Sequence, residues 1–405
     1  MDRSPSSVRA TVLDRMHAGT RVAAVAGPLE LPGEETARER LLAFAALGPA
    51  TRIGLRPAAG RWRWRHDPQR LAAAVSTAAA PADPLRLLRG ARSARPLSVT
   101  LAGDYLLTEH DHGIGEIQLA LYVKMAVTGL LTPSPELYRG VGGRRAGLAT
   151  ATARVFGSDP RRIRRVLTIL EGLPDPIEPP AAAPASVGPV LPVSVETASL
   201  DATAVAEIRR WRDLRGVRAS LKTLLLCGMV RAFDDAGLTL HDDIAIPVDL
   251  RRYLKSGANP LGNFVAGLEF RHRPGDDPAA LQHAITETIA SGRPVASAVR
   301  SSVTAGSMLL SGRTPAGESW PGRPRLLFSG INEMAEFRRF GWLDTQRAAF
   351  YGRVDPMGPG DLTLATVGVH GAVTLSVSFH PDRLNTDVIS TALRRFADDP
   401  GSHFG

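Results

Sequence analysis

The amino-acid sequence predicts an α/β or α+β protein of two similar-sized lobes, on three observations. The chain has 405 residues, 44% of them apolar and 22% charged, more than one ordinary domain needs and enough to bury large cores. A stretch at residues 173–192, LPDPIEPPAAAPASVGPVLP, is too dense in proline for helix or ladder and reads as an extended linker. On either side of it helical and strand patterns are interleaved, so lobes at 1–172 and 193–405 each mix the two element types.

In the first lobe, GEETARERLLAFAAL (Gly33 to Leu47) is an amphipathic helix with an acidic start, followed by short strands around Thr51 to Arg56 and Arg61 to Arg65. PLSVTLAGDYLLTEHDHGIGE carries two strand-like runs separated by Gly103 and Asp104, ending in a polar, glycine-containing turn. Ser158-Asp159-Pro160 opens a basic helix to about Leu170. After the linker, VLPVSVETAS is a strand, Asp201 starts a helix to about Leu214, and Ser220 caps an apolar helix through Phe233. DDIAIPVDLRRYL is a strand breaking into a basic turn, and NFVAGLEFRH is another strand. Helices follow at about 277–291 and 295–310. RLLFSGI is a strand, DLTLATVGV and AVTLSVSFH form a hairpin about His370-Gly371, and an amphipathic helix covers Thr386 to Ala397.

Composition removes several function classes. Cys227, the single cysteine, sits in LLLCGMV as a small core residue, so no disulfide framework or cysteine-clustered zinc site is available. No apolar run is long enough to span a membrane. The net charge is +9, and only Lys124, Lys222 and Lys255 among 49 basic residues are lysines. Residues 1–180 carry net +8 and residues 181–405 net +1, an N-terminal excess suited to an acidic partner. An arginine- and alanine-rich coding bias explains the same composition. Nucleic acid fits less well, because basic residues are scattered and aromatics are only 5%. MDRSPSSVRA has no charged-then-apolar leader pattern, so the cytoplasm is the expected location.

The densest polar cluster is Glu109-His110-Asp111-His112-Gly113-Ile114-Gly115-Glu116, at a strand end where side chains can be aimed into a cleft. One reading takes His112 as a general base with Glu116 holding the turn together. A second is a metal site, since His110-x-His112-x3-Glu116 offers two imidazoles and a carboxylate; a third histidine in a matching motif is missing, and no metal is expected. A third is a surface turn whose polar residues cap and solvate.

The strand, His-x-x-x-acid and following apolar segment resemble the HHxxxDG motif of the condensation-domain and chloramphenicol-acetyltransferase-like acyltransferase superfamily. On that resemblance Asp111 stands at the first histidine, His112 at the catalytic histidine, Glu116 at the aspartate and Ile117 at the glycine. IPVDLRRYL and LGNFV (Ile246 to Val265) are similar to the VDLR and GNF signatures of stand-alone condensation enzymes and alcohol acyltransferases. LLFSGI looks like the strand bearing a serine near the active site, and VTLSVSFHPDRLNTDVISTALRRF resembles the C-terminal strand and helix. A DFGWG element seen in some branches is absent; Phe340-Gly341-Trp342 is too short to stand for it. The resemblance makes Ile117 to Leu131 a helix and covers most of the chain.

What the resemblance implies is a pair of chloramphenicol-acetyltransferase-like lobes forming a V, with a tunnel at their junction and His112 in it. Family enzymes join an acyl thioester, held on a carrier protein's phosphopantetheine or on coenzyme A, to an amine or alcohol, with no cofactor of their own. His112 is then the general base or the stabiliser of the tetrahedral intermediate. Glu116 pairs with Arg251 of Val-Asp249-Leu-Arg, or with Arg252 if the register slips. Asp111 and Asp249 support the site, Asp111 pointing away from His112, and His110, Asn263 and Ser329 are candidates to line the tunnel. Amide formation in antibiotic-type biosynthesis is the leading expectation; O-acylation, or a non-catalytic relative that only docks a carrier protein, are the alternatives.

Overall fold

A computed structural model of the chain describes residues 6–58, 61–90, 93–141, 147–164, 166, 192–255, 258–311 and 322–404. Apart from Pro192, the proline-rich stretch 173–192 lies outside the described residues, as does the helix expected to reach Leu170 beyond residues 161–164 and 166.

Three sheets organise these residues. A five-stranded sheet runs β12 (Ala349–Val354), β2 (Arg21–Gly27), β7 (Tyr105–Asp111), β6 (Leu97–Ala102) and β5 (Val75–Ala78). A six-stranded sheet runs β10 (Val265–Arg271), β9 (Asp243–Asp249), β11 (Leu326–Ile331), β13 (Leu362–Val369), β14 (Ala372–Phe379) and β8 (Ser194–Leu200). A small sheet of β1 (Ser6–Arg9), β4 (Arg63–His66) and β3 (Leu55–Arg56) sits beside the first. The hairpin expected about His370-Gly371 joins β13 to β14, with φ of 48° and 82° at its two turn residues, the left-handed conformation a two-residue turn requires. The mixed α/β class predicted from the sequence is the class observed.

The five-stranded sheet contains three strands that the periodicity left unread, β2, β5 and β12. β2 is Ala- and Val-rich and buried along its whole length. It pairs antiparallel with β7 on one side and with β12, from far down the chain, on the other. Helices α1 (Val12–Met16), α2 (Glu34–Ala46) and α3 (Leu85–Arg89) lie in the first half, with α4 (Ile117–Thr128) covering the five-stranded sheet. α4 is apolar nearly all round, so its burial outweighs its weak amphipathicity. Its one cation, Lys124, is fully buried. Nζ donates to the Ala24 and Leu106 carbonyls, each at 2.7 Å, and to Thr108 Oγ1 at 3.0 Å, tying α4 to β2 and β7. Burial holds that amine far below its usual range.

In the second half, the helices at Leu221–Asp235 and Thr386–Asp398 bury Leu224, Phe233, Ile389 and Phe396 in one core with Leu364 and Val377 of the sheet. Asp201 and Ser220 cap the first two helices of this half through the backbone N–H groups of Ala204 and Thr223. α5 (Pro135–Val141) and α6 (Gly147–Gly157) complete the first half, and Val155 of α6 packs with Leu250, Phe264 and Val295 across the two halves.

Candidate active site

β7 delivers the polar cluster to the junction of the two halves. At its end Asp111 caps a single 3-10 turn, His112–Ile114, by accepting from Gly113 N at 2.8 Å. Its other oxygen accepts from Gly19 N at 3.1 Å. Both oxygens accept from backbone amides, so the carboxylate organises the turn around His112. Burial raises the Asp111 carboxyl pKa, with these two amides and neighbouring charge working the other way.

The backbone of His112 is fixed at both ends. Its N–H donates to the Thr20 carbonyl at 2.8 Å, and its carbonyl accepts from Asn263 Nδ2 at 2.8 Å and Gly115 N at 3.1 Å. Asn263 is 4% exposed; it reaches across 151 residues of sequence to clamp the turn, and its Nδ2 also donates to Gly113 O at 3.2 Å. Asp14 supports the same turn from beneath, pairing with Arg52 at 2.7 Å and accepting from Asn263 N at 3.2 Å, while Arg52 donates to the Ile114 and Gly113 carbonyls. Gly115 must be small: a Cβ there would lie 2.6 Å from the Leu261 carbonyl oxygen.

The ring of His112 is half-buried and stacks on His17, the residue after α1, with centroids 4.4 Å apart and planes 15° off parallel. Nδ1 is enclosed without a hydrogen-bond partner among the described residues. Nε2 makes no hydrogen bond within the described protein and is not enclosed.

Glu116 crosses to the second half instead of capping its own helix. Its Oε2 accepts from Arg251 Nη1 at 2.9 Å, and its Oε1 from Phe264 N at 2.6 Å. Arg251 also donates to Asp249 Oδ1, to the Pro260 carbonyl twice, and to the Gly262 carbonyl. Burial works against its charge, yet the carboxylates of Glu116 and Asp249 together raise its pKa. Arg252 donates to the Asp249 carbonyl and stays outside this pair.

His110 does not line a channel. It is fully buried inside the first lobe, with Nε2–H donating to the Gly115 carbonyl at 2.9 Å. Ser329 sits on β11 opposite Ala365 of β13, outside the network that surrounds His112. The metal reading of His110, His112 and Glu116 meets a geometric obstacle, since His110 faces Gly115 and Glu116 faces Arg251; among the described residues no group of three such ligands converges. His17, Asp14 and Arg52 carried no signal in the sequence, because nothing in spacing links them to a turn so far along the chain.

Burial pushes His110 down to about 3, and burial with the adjacent His112 ring pushes His17 down to about 3. Both are neutral in the fold, whereas unfolded imidazoles take up protons below their ordinary 6.5. The unfolded state therefore binds more protons in that window, and stability is expected to fall as pH drops from about 6.5 towards 3. Asp111, with its raised pKa, opposes part of the trend. Urea midpoints between about pH 7 and pH 4 measure it; a flat profile overturns the burial of these rings.

No protein-family model matches the chain, and no curated protein matches its sequence. Solved structures match its shape. The trichothecene 15-O-acetyltransferase TRI3 from Fusarium sporotrichioides is similar at a TM-score of 0.60 and 11% identity, over 96% of this chain and 94% of that one. The first condensation domain of the calcium-dependent antibiotic synthetase is similar at 0.59 and 13%, over 97% and 95%. Polyketide synthase associated protein 5 from Mycobacterium tuberculosis is similar at 0.58 and 14%, over 98% and 100%. The chain thus has the two-lobed fold of condensation domains and chloramphenicol-acetyltransferase-like acyltransferases, the fold its sequence resemblance implies.

Proposed function

We propose that this chain is a condensation-type acyltransferase that joins an acyl thioester, held on a carrier protein's phosphopantetheine or on coenzyme A, to an amine. The observation that carries the reading is the open Nε2 of His112, on a residue whose backbone and neighbours are otherwise bound. A fixed backbone with one free imidazole nitrogen is the arrangement a proton carrier needs. The amine nitrogen bonds to the thioester carbon and gives its proton to Nε2; the carbon–sulfur bond breaks and the proton passes to the departing sulfur, leaving an amide and a thiol. For Nε2 to accept that proton, Nδ1 must carry the ring's own N–H before the reaction as well as after it, and this enclosed N–H has no acceptor among the described residues, a cost of about 1–3 kcal/mol on the tautomer that acts as base.

The same enclosed nitrogen favours a second role, in which Nδ1 keeps its lone pair and Nε2–H donates to the oxygen of the tetrahedral intermediate. Asn263, Asp249, Asp111 and the Glu116–Arg251 pair are positioning residues in either role, and Ser329 has no assigned contact to the reaction. The protein needs no cofactor beyond the substrate's own thioester carrier, and it works in the cytoplasm; no helix among the described residues is long and apolar enough to cross a membrane.

The test is acyl transfer from carrier-bound, coenzyme A and pantetheine thioesters to a panel of amines and alcohols, read by mass spectrometry. Amide product is expected. Ester alone reassigns the acceptor class, and no product from any donor overturns the transfer reading in favour of a carrier-docking protein.

A further inference from the structure

We propose that the outer face of the small sheet β1-β4-β3 is a docking surface for an acidic protein segment. β4 alternates strictly, with Arg63 and Arg65 exposed while Trp64 and His66 are buried. The register sets Arg9 directly opposite Arg63 on one side, and Arg56 directly opposite Arg65 on the other. Arg9 and Arg56 are exposed as well, so four guanidinium groups share one face. Neighbours along β4 lie about 7 Å apart and cross-strand neighbours about 5 Å apart.

None of these four arginines makes an ion pair among the described residues; Arg63 donates only to Ser7 Oγ. The carboxylate after β4, Asp67, is engaged by Arg70 at 3.3 Å. Like charges set directly opposite on adjacent strands destabilise a sheet, and carboxylates laid across the face would remove that repulsion. The spacing matches an α-helix with acidic residues at i and i+4, which rise about 6 Å along its axis.

Two observations select protein over other polyanions or membranes. The nearby aromatic that could stack on bases, Trp62, is covered by the Arg15 guanidinium at 3.9 Å. The large exposed apolar side chains, Ile163, Leu214, Val303 and Leu343, are all elsewhere, so the face has nothing to insert into lipid. The face is also connected to the site: β1 leads through the Thr11 cap directly into α1, which ends at His17 against His112. Resting on the function proposed above, the acidic segment belongs to the carrier protein that presents the acyl thioester.

The experiment uses the full chain, an octanoyl-loaded acidic acyl carrier protein, octanoyl-pantetheine, a DNA duplex and phosphatidylserine vesicles. Arg63→Glu/Arg65→Glu, and separately Arg9→Glu/Arg56→Glu, are expected to weaken carrier binding at low salt by about tenfold or more. The salt dependence of binding flattens in the variants, the melting temperature stays at or above the wild-type value because each new carboxylate faces an arginine across the strands, and the turnover of octanoyl-pantetheine keeps its wild-type value. Carrier binding that is absent in the wild type or unchanged in both variants overturns the proposal, as does tighter, variant-sensitive binding to DNA or vesicles. Binding through this face with no transfer from either octanoyl donor leaves the docking surface standing and removes the transfer function; turnover of octanoyl-pantetheine with carrier binding untouched by the variants does the reverse.

Discussion

Replacing His112 by alanine is expected to lower turnover by about 10²- to 10⁴-fold, the usual contribution of a positioned proton-transfer group. The Michaelis constant should move little, because the loss falls on the reacting atoms. Folding should survive: the contacts that fix this turn are made by the backbone of His112 to Thr20 and Asn263, and by Asp111 to Gly113 and Gly19, and alanine keeps the backbone ones. His112→Gln separates the two roles of the ring. Its amide can donate to an intermediate oxygen but cannot carry a proton, so partial recovery points to intermediate stabilisation and none points to proton transfer. His17→Phe preserves a stacked ring beside His112, and should retain more activity than His17→Ala, which opens a void against the imidazole. Turnover within about threefold of wild type for His112→Ala, with the melting temperature unchanged, would remove this residue from the chemistry.

Much of this arrangement was legible because it rests on local patterns. The hairpin at His370-Gly371, the caps at Asp201 and Ser220, and the strand leading into the His112 turn each follow from residues a few positions apart. The pairing of Glu116 with Arg251 spans 135 residues and came into view only through the resemblance of two separate motifs to one family. What stayed hidden depends on partners that spacing does not encode. β2 is a seven-residue Ala- and Val-rich run with no alternation, because both its faces are buried, and β12 joins it as an edge strand from the other half of the chain. His110 and His112 look alike in sequence, and a two-residue strand period would set them on one face, yet β7 ends at Asp111 and the 3-10 turn that begins at His112 breaks the period, so one ring lies in the core and the other stays open on one edge. His17 could be linked to His112 only once α1 was seen to end against the turn.

Arg251→Ala is expected to destabilise the protein by about 3–5 kcal/mol, because it removes one partner of a buried ion pair. Glu116 and Arg251 are only 12% and 7% exposed at their side chains, so solvent does little to screen the charge left behind. The carbonyls of Pro260 and Gly262 lose their donors in the same step. Arg251→Lys keeps the charge but lacks the planar fork that reaches a carboxylate and two carbonyls at once, so it should recover only part of the loss. Glu116→Gln should cost less than either, since its amide oxygen still accepts from Phe264 N and Asp249 still balances Arg251. Because Gly262 immediately precedes Asn263, whose side chain holds the His112 carbonyl, loosening this segment should also lower turnover in proportion to the stability lost. A structural pair of this kind therefore predicts one ordering, Arg251→Ala below Arg251→Lys below Glu116→Gln, in both denaturant midpoint and activity. A pair that served only to bind substrate would instead raise the Michaelis constant and leave the midpoints alike.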